Sequence, residues 1–388
     1  MSFLFLLVAV SVAYGLIEYR LHQRRLARIP VRVLVNGTRG KSSVTRLIAA
    51  GLRAGGRRVI AKTTGTSPRF IMADDQEVPI RRLGKANIIE NLRIVRQALQ
   101  YRPDAIVFEC MALVPKYQWI DAHRLIQPTH GVITNARADH LDVMGPTVSD
   151  VAKALSNSIP RNGLLFTADE VFFPEFARRA DRRQTRAFQA RPDSVTDEEM
   201  QGFGYVEHKE NVALALLVCE MLGVERKTAL AGMHRSLPDP GAMRIYQIQH
   251  DGKRFEFVNT LAANDPDSIA RLWAMMKGRR PERIVLVNCR ADRTDRSRQL
   301  AELCAREFDA KCFVITGGLT AVFERAATRQ GIPRSRLVNL GDNLEPEKVY
   351  DGVLRCIDHD ALIFATGNIV GYGSSLVDYF AAKAGTDS

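Results

Sequence analysis

The sequence is poor in the features that mark secreted disulfide proteins, zinc-binding modules and nucleic-acid-binding modules. Its 388 residues include only six cysteines, scattered without paired spacing and mostly within apolar runs, which indicates reduced core residues and excludes a disulfide framework or a zinc site. It contains no low-complexity segment and no short internal repeat. The net charge of +12 suggests an acidic partner. Nucleic acid is not expected, because the basic residues are dispersed and no RNP, zinc-finger or helix-turn-helix motif is present.

Long apolar runs are also absent, with one exception at the N-terminus. The stretch 2–19 contains a single acid, Glu18, and as a helix would span about 27 Å, slightly less than the hydrocarbon core of a bilayer. No Lys or Arg precedes Phe3, whereas arginines follow from Arg20 onward, the reverse of a cleaved signal peptide. This order predicts one uncleaved span in the cell membrane, with the N-terminus outside and the catalytic domains in the cytoplasm. The alternative is a buried helix of a soluble fold.

A short glycine-rich segment is the strongest functional feature. Gly37-Thr38-Arg39-Gly40-Lys41-Ser42 follows a strand-like apolar run that ends at Val35 and opens a helical pattern, the context of a phosphate-binding loop. The usual pattern has an earlier glycine where this chain has Val35 or Asn36, and the alternative interpretation is a simple turn before a helix. Backbone N–H groups and the helix dipole suit phosphate, Lys41 adds a point charge, and the Ser42 hydroxyl suits Mg²⁺. We therefore assign nucleotide binding to Gly37, Thr38, Arg39, Gly40, Lys41, Ser42 and Ser43.

The order of strand and helix patterns predicts two α/β domains behind the N-terminal segment. After an anchor and basic linker at 1–29, strands and helices alternate, which indicates a parallel sheet wrapped by helices. The Pro/Gly-rich stretch Leu237–Gly241 interrupts the pattern, and a second α/β set begins at Ile245. This boundary gives an ATP-binding domain at 30–243 and a C-terminal domain at 244–388. We expect a hinge for domain closure near Pro238–Gly241.

Polar side chains follow two strands of the predicted sheet. Glu109 ends the strand that begins at Ala105, while Asn135 and then Asp139-His140-Leu141-Asp142 follow the strand Gly131–Thr134. The carboxyl ends of parallel strands face the crevice into which the phosphate loop opens, so these groups are placed to hold Mg²⁺ and contact nucleotide. Taken alone, Glu109 is also consistent with a surface ion pair, and His140 with a core or surface histidine.

These motifs resemble the Mur ligase superfamily, whose members join an acid to an amine through an acyl phosphate. Two further stretches fit the central domain of that family: Thr63–Pro68, similar to a segment of folylpolyglutamate synthases, and His208–Asn211 at a helix start. Within the superfamily the chain is similar, over nearly its whole length, to the ligase subunits of poly-γ-glutamate synthases. The motifs that carry this likeness are Val31–Val33, Thr63–Thr66, Glu109–Ala112, Asp142–Thr147, Pro238–Arg244, Ala262–Asp265 and Asn288–Arg293.

The resemblance implies a fold and a set of cofactors. The implied fold is α/β, with a P-loop, Mur-ligase-like central ATPase domain on a parallel sheet, a smaller Rossmann-like C-terminal α/β domain, and one transmembrane helix before them. The implied cofactors are ATP and Mg²⁺, with Lys41 and the backbone of Thr38–Ser42 on the β- and γ-phosphates.

The resemblance also implies roles for single residues. Ser42 and Glu109 would bind Mg²⁺, His140 would bind a second Mg²⁺, and Thr66 would place a hydroxyl beside the γ-phosphate and its metal. Further nucleotide contacts are implied for Asn135, Asn211 and Arg244. The alternatives for the last two are a polar residue at a helix N-terminus and an arginine of the boundary loop.

A dense charged loop follows the predicted strand Ile284–Val287 of the C-terminal domain. Guanidinium groups suit glutamate carboxylates, so we assign this loop to the acidic substrate. A solvated ion-pair loop is the alternative. The residues concerned are Arg290, Asp292, Arg293 and Arg296.

The chain departs from Mur ligases at three points. It enters the ATPase domain almost directly after the anchor, without the domain that holds a UDP-sugar, so a nucleotide-sugar substrate is not expected. In the stretch Asn259–Asp265 the replacement for the family's nucleotide-contacting aspartate stays open. No lysine can be assigned as the modified lysine of several relatives, although Lys209 lies in the right neighbourhood.

The expected reaction is ATP-dependent polymerisation of glutamate into poly-γ-glutamate through an acyl phosphate, with Lys41 stabilising the transferring phosphoryl group and His140 or Asp142 as base for the attacking amine. Glutamate, the growing polymer and other membrane subunits of a synthase and export complex are the expected partners, and a homo-oligomer is left open. One alternative is a membrane-anchored P-loop ATPase that powers export. Another is a different glutamate-adding ligase, such as a folylpolyglutamate synthase. The stereochemistry of the glutamate and the fate of the polymer stay open.

Overall fold

The computed structural model describes residues 2–65, 68–82, 84, 86–203, 205–238, 243–263 and 266–384, and only the backbone of residues 2, 267 and 268. Three sequence predictions therefore lie outside the described residues in whole or in part: the role of Thr66, the hinge near Pro238–Gly241, and the motif Ala262–Asp265. The chain forms two compact units, Met1–Asp239 and Pro240–Ser388.

The first unit alternates strands and helices. Its strands are β1 (Val31–Asn36), β2 (Val59–Lys62), β3 (Arg69–Ile71), β4 (Glu77–Pro79), β5 (Ala105–Glu109), β6 (His130–Ile133), β7 (Leu164–Thr167) and β8 (Arg186–Gln189). Its helices are α1 (Ser2–Ala27), α2 (Lys41–Ala54), α3 (Glu90–Ala98), α4 (Pro115–Ile120), α5 (Leu141–Met144), α6 (Val148–Leu155), α7 (Phe173–Asp181), α8 (Asp197–Gln201), α9 (Lys209–Met221) and α10 (Arg226–His234).

The second unit repeats the α/β pattern. Its strands are β9 (Arg244–His250), β10 (Lys253–Asn259), β11 (Glu282–Cys289), β12 (Cys312–Gly317), β13 (Leu337–Asn339) and β14 (Asp360–Gly367). Its helices are α11 (Pro266–Met275), α12 (Thr294–Glu307), α13 (Thr320–Arg329), α14 (Pro346–Leu354) and α15 (Tyr372–Ala384).

The sheet of the first unit places β1 between two partners that each end in polar residues. Within the described residues the strand order is β4-β3-β2-β5-β1-β6-β7-β8. The strands from β2 to β8 in this order pair in parallel, while β3 and β4 add an antiparallel hairpin at one edge. Val33, Leu34 and Val35 of β1 are fully buried, as a central parallel strand covered on both faces requires. The carboxyl ends of β2, β5, β1 and β6 therefore lie side by side.

Helix α2 begins directly after the glycine-rich loop and packs against α9 and α10. A Cβ atom on Gly51 would lie 2.7 Å from the Sγ of Cys219, and one on Gly232 would lie 2.5 Å from the carbonyl oxygen of Ala50. The helices thus approach more closely than larger side chains would allow. The apolar face of α2 includes Val44, Leu47, Ile48 and Leu52. This packing holds the start of α2 over the end of β1.

Helix α1 has two parts with different surroundings. The large apolar side chains from Phe3 to Ile17 are exposed, whereas Leu26 is buried in a core cluster that the first unit forms around Leu34 and Phe108. The span Phe3–Ala27 is long and apolar enough to cross a membrane. The alternative of a buried helix of a soluble core is wrong for this helix, since none of the apolar window is buried.

The sheet of the second unit has the order β13-β12-β11-β14-β10-β9 within the described residues. Only β9 runs antiparallel to its neighbour; the other pairs are parallel. Phe257 stacks on Phe380 with ring centroids 4.2 Å apart, and the edge of Tyr350 packs on the same ring. All six cysteines are free thiols, and five are buried, as the sequence predicts for reduced core residues.

Candidate active site

The glycine-rich loop joins β1 to α2 in a conformation that glycine permits. Gly37 has φ +133° and Gly40 has φ +77°, values in the region that favours glycine. The Lys41 Nζ donates to the carbonyl oxygen of Gly37 at 2.9 Å and of Thr38 at 3.3 Å. The ammonium group therefore lies across the loop, at the N-terminus of a helix of 14 residues, where phosphate groups are favoured.

Two residues at the end of β6 hold the loop in place. The Thr134 hydroxyl donates to the carbonyl oxygen of Arg39 at 2.6 Å. The Asn135 Oδ1 accepts from the Thr38 hydroxyl at 2.6 Å and from the Arg39 backbone N–H at 3.1 Å. Asn135 therefore contacts the loop directly, and Thr134 is a supporting residue that the sequence alone did not reveal.

We expect Gly37→Ala to weaken ADP binding about 10- to 100-fold, the range set by backbone strain of a few kcal/mol. The added Cβ would fall 2.0 Å from the Thr134 Oγ1, at a φ of +133°. Titration calorimetry with ADP measures the effect. Gly84→Ala is the matched control, because nothing lies within 4 Å of its added Cβ; equal ADP affinity of the two variants would contradict the prediction.

Glu109 lies at the end of β5 and contacts both the phosphate loop and the segment that follows β2. Its Oε2 accepts from the Ser42 hydroxyl at 2.9 Å and from the Thr64 backbone N–H at 2.7 Å. The side chain is 3% exposed, which does not fit the alternative of a surface ion pair. A hydroxyl and a carboxylate in contact are oxygen ligands of the kind that Mg²⁺ prefers, with water and phosphate oxygens completing its shell. Within the described ranges no three His, Cys, Asp or Glu side chains cluster as a metal site.

The predicted Asp-His-x-Asp cluster begins next to the loop. His140 has φ +48° and precedes α5, and its side chain is 48% exposed. The Asp139 carboxylate lies 3.7 Å from His140 Nε2 and 3.6 Å from an Arg39 guanidinium nitrogen. Asp142 is exposed in the first turn of α5. Asp139 thus links His140 to the phosphate loop, whereas Asp142 has no such link within the part of the chain that the structure describes.

Asn211 lies against the other side of the loop. A Cβ atom on Gly40 would fall 2.6 Å from Asn211 Oδ1, so the amide sits directly beside that glycine. The Asn211 Nδ2 donates to Glu207 Oε1 at 2.8 Å. A cavity of about 1710 Å³ opens nearby at the carboxyl ends of β6, β7 and β8, and its lining includes Asn135, Arg137, Asp169, Phe172, Arg191 and Glu210.

A buried ionic network supports the strand next to Glu109, and sequence reasoning did not reveal it. Lys62, at the end of β2, is fully buried, and its Nζ contacts Glu90 Oε1 at 2.9 Å and Asn91 Oδ1 at 2.5 Å. Asn91 in turn donates to Asp121 Oδ1 at 2.6 Å. Burial lowers the pKa of Lys62 and raises the pKa of Asp121 to about 6. The network ties β2 to α3 beneath the segment that includes Thr64.

The second unit carries a shallow cleft at the carboxyl ends of β11 and β14, and its lining includes Asn288, Arg290, Arg293, Arg296 and Asn368. Arg290 Nε lies 2.6 Å from Asp292 Oδ1, and Arg296 donates to the carbonyl oxygen of Ala263 at 2.6 Å. The structure therefore brings three of the four predicted substrate residues to one cleft. The fourth, Asp292, forms an ion pair with Arg290.

Arg244, the third of the further predicted nucleotide contacts, starts β9. Its backbone lies opposite Asn259 of β10 in the antiparallel pair, and its side chain is partly exposed. Its predicted role stays a prediction.

The fold and the site together define a class of protein. The Mur ligase middle domain family matches residues 35–236. The structure of E. coli FolC in complex with ADP shares the fold with a TM-score of 0.69, at 16% sequence identity, over 97% of this chain and 98% of that chain. The chain is therefore a protein of the Mur ligase class.

Further comparisons assign the chain to one family within the Mur ligase class. The poly-gamma-glutamate synthase CapB C-terminal domain family matches residues 245–383. The capsule biosynthesis protein CapB of Bacillus anthracis is 38% identical over 95% of this chain and 80% of that protein. The PGA synthase CapB of Bacillus subtilis (strain 168) is 37% identical over 97% of each chain. The chain belongs to the CapB family of poly-gamma-glutamate synthases.

Proposed function

We propose that this protein is an ATP-dependent amide ligase that polymerises glutamate into poly-γ-glutamate through a γ-carboxyl phosphate, releasing ADP and phosphate. The carrying observation is the contact between the Ser42 hydroxyl and Glu109 Oε2 at the mouth of the phosphate loop. This contact joins Ser42, which follows the loop lysine Lys41, to the carboxylate of Glu109 at the end of β5. The same two residue types at a phosphate loop suit an ATP and Mg²⁺ site in a chain of the CapB family. An export motor needs no second unit with an arginine-lined cleft.

The first unit supplies the phosphoryl donor. Lys41 and the loop N–H groups would bind the β- and γ-phosphates, and the cavity beside Asn135 is large enough for a nucleoside. Ser42 and Glu109 would hold Mg²⁺, which when bound neutralises charge on the transferring phosphoryl group. His140 is the proposed ligand of a second ion, and Thr66 is proposed beside the γ-phosphate.

The second unit supplies the acidic substrate. Arg290, Arg293 and Arg296 line one cleft, and guanidinium groups bind carboxylates with two parallel hydrogen bonds. Asn288 lines the same cleft, and its Oδ1 is buried without a hydrogen-bond partner in the described part of the chain. Such an acceptor suits the ammonium group of an amino acid. This combination supports glutamate as the ligand of the cleft.

The chemistry has two steps. A γ-carboxylate oxygen bonds to the γ-phosphorus of ATP while the bond to the bridging oxygen breaks, which releases ADP. The α-amine of the next glutamate then attacks the acyl carbon, and phosphate leaves as the amide forms. The amine must lose one proton, for which His140 or Asp142 is the proposed base.

We expect Arg293→Ala to raise the KM for glutamate about 10- to 100-fold, the range for loss of one charge-assisted hydrogen bond, while the KM for ATP stays the same. The matched control is Arg298→Ala in α12, the helix that begins directly after Arg293; the Arg298 guanidinium pairs with Asp295 at 2.5 Å outside the cleft. Steady-state ADP release with varied glutamate measures both. An unchanged KM for glutamate in Arg293→Ala would remove this residue from the substrate site.

Hydroxylamine trapping tests the proposed activity. Enzyme, ATP, glutamate and hydroxylamine should yield γ-glutamyl hydroxamate and ADP in equal amounts, because hydroxylamine captures the acyl phosphate. ATP hydrolysis without hydroxamate would indicate the export motor instead. Hydroxamate that forms only after a folate is added would indicate a folylpolyglutamate synthase.

We also propose that α1 anchors the protein in the cell membrane, with both units in the cytoplasm. The supporting observations are the exposed apolar run of α1 and the arginines that follow it. Other membrane subunits of a synthase and export complex are the proposed partners, and self-association is left open.

A further inference from the structure

A cleft in the first unit lies at the edge of the sheet opposite the phosphate loop. It is formed around the amino ends of β1, β6 and β7, and its lining includes Arg32, Trp119, His123, Arg124, Gln127 and Arg161. Neither nucleotide nor glutamate has a role assigned there. The phosphate loop follows the carboxyl end of β1, so changes in this cleft are separable from the proposed catalytic site.

The charge of the cleft is positive and uncompensated. Arg124 and Arg161 are exposed on its rim. Arg183 lies behind them and donates to the carbonyl oxygen of Ile159 at 2.7 Å. Across the described residues, no Asp or Glu forms an ion pair with any of these three arginines. Arginines without carboxylates at a cleft form an anion site.

The positive charge of the cleft also affects the pKa of His123. Burial and the nearby Arg183, Arg161 and Arg124 lower the pKa of His123 to about 4. The imidazole is therefore neutral at physiological pH. Arg124 also lies over the ring of Trp119, 5.5 Å from its centroid, which places an aromatic ring and a cation side by side.

The cleft adjoins the part of α1 that follows its apolar run. Arg124 donates to the Tyr19 hydroxyl at 3.3 Å, and Gln127 donates to Gln23 Oε1 at 2.6 Å. Arg32 donates to the carbonyl oxygens of Ile29 and Leu26 at the end of the helix. The cleft is thus fixed to α1 by contacts on both of its sides.

The distance along α1 from the end of its apolar run to the residues that contact the cleft indicates how far the cleft lies from a membrane. The apolar run ends at Ile17, and Tyr19 follows about 3 Å further along the helix and Gln23 about 9 Å further. The headgroup layer on each side of a bilayer is about 5 to 8 Å thick. The rim of the cleft therefore reaches the headgroup layer when α1 spans the membrane.

We propose that this cleft binds the phosphate headgroup of an anionic phospholipid in the cytoplasmic leaflet of the membrane that α1 spans. The proposal rests on the membrane anchoring of α1 proposed above. Arg124 and Arg161 hold the phosphate, and Trp119 lies at the level where tryptophan is enriched in membrane proteins. A lipid is favoured over the polyanionic product because the cleft adjoins the anchor and lies at the sheet edge opposite the phosphate loop.

Fluorescence titration of the full-length protein in detergent tests this site. The chain has two tryptophans, so Trp273→Phe leaves Trp119 as the only reporter. The probes are short-chain phosphatidylglycerol, short-chain phosphatidylcholine, glycerol phosphate and poly-γ-glutamate. We expect saturable binding of phosphatidylglycerol, weakened about fivefold by Arg161→Gln and about 30-fold when Arg124→Gln is added, at about 1 kcal/mol for each arginine.

The choice of variants keeps folding and function apart from lipid binding. In the described structure Arg161 forms neither a hydrogen bond nor an ion pair, so its replacement removes charge alone. Arg325→Gln with Arg329→Gln on α13 is the charge-matched control and should bind lipid like the parent. Glutamate-dependent ADP release should be unchanged in all variants.

Four results would overturn the proposal: equal affinity for phosphatidylcholine, parental affinity in Arg161→Gln, equally tight binding of glycerol phosphate alone, or displacement of the lipid by poly-γ-glutamate. The titration contains no ATP or glutamate, so a failure of the proposed ligase activity leaves its outcome intact. Flotation of the full-length protein with vesicles tests the anchoring of α1 separately.

Discussion

Replacing Lys41 by Ala lowers the kcat/KM for glutamate-dependent ADP release about 10³-fold, while the protein stays folded. The expected size is that of removing one preorganised positive group from a phosphoryl-transfer site. Among the described residues, the hydrogen bonds of the Lys41 Nζ go to carbonyl oxygens of its own loop, those of Gly37 and Thr38. Its removal therefore leaves the core packing of α2 intact.

The measurement is a coupled assay of ADP release with and without glutamate, beside thermal unfolding of the same samples. Lys116→Ala is the matched control, since Lys116 is an exposed lysine of α4 in the same unit. Full activity of Lys41→Ala in a folded protein would contradict the assignment of the phosphate loop.

Replacing Glu109 by Gln lowers the activity about 10²-fold and raises the Mg²⁺ concentration for half-maximal rate at least about tenfold. The amide keeps the size of the side chain and one acceptor oxygen for the Ser42 hydroxyl or the Thr64 N–H. It removes the negative charge that would bind the ion. Because the change is nearly isosteric, the effect should fall on metal dependence and not on folding.

Titration of Mg²⁺ at saturating ATP and glutamate measures this shift. Glu198→Gln is the control, because Glu198 is an exposed carboxylate of α8 on the same unit. If Glu109→Gln showed the parental Mg²⁺ dependence, Glu109 would be a structural partner of Ser42 and Thr64 and not a metal ligand.

Local patterns were enough to predict the elements that position the site. The apolar run before the glycine-rich loop predicts β1, and the following helical spacing predicts α2, observed at Lys41–Ala54. Strands β5 and β6 were predicted within a residue or two of their observed ends. These elements are buried and regular, so composition and period determine them.

Other elements depend on contacts that a local pattern does not contain. The hairpin of β3 and β4 has strands of three residues each, too short for a period to show. The segment Asp121–Ile126 forms a π-helix that continues α4. Its residue Asp121 is buried although it is charged, so the apolar pattern of the sequence does not mark this position as buried. Helix α3 is followed directly by a short 3₁₀ turn at Leu99–Tyr101, a change of helix type that the period of the apolar residues does not show.

The same limit applies to the site. Strand-end position indicates Glu109 and Asn135, because parallel strands end at one edge. The bond from Thr134 to the loop and the buried contact of Lys62 with Glu90 join residues far apart in sequence. Only the folded chain brings them together. The proximity of Arg290, Arg293 and Arg296 was predictable because they share one loop and the helix that follows it.

Transfer of an oxygen isotope tests the central claim most directly. Glutamate labelled with ¹⁸O in its γ-carboxyl group is incubated with the enzyme, ATP and Mg²⁺, and the released phosphate is analysed by mass spectrometry. A γ-carboxyl phosphate requires that one carboxyl oxygen leave with the phosphate, so each amide bond formed should yield one ¹⁸O-labelled phosphate. Polymer formation with unlabelled phosphate would contradict the acyl phosphate route and with it the proposed function.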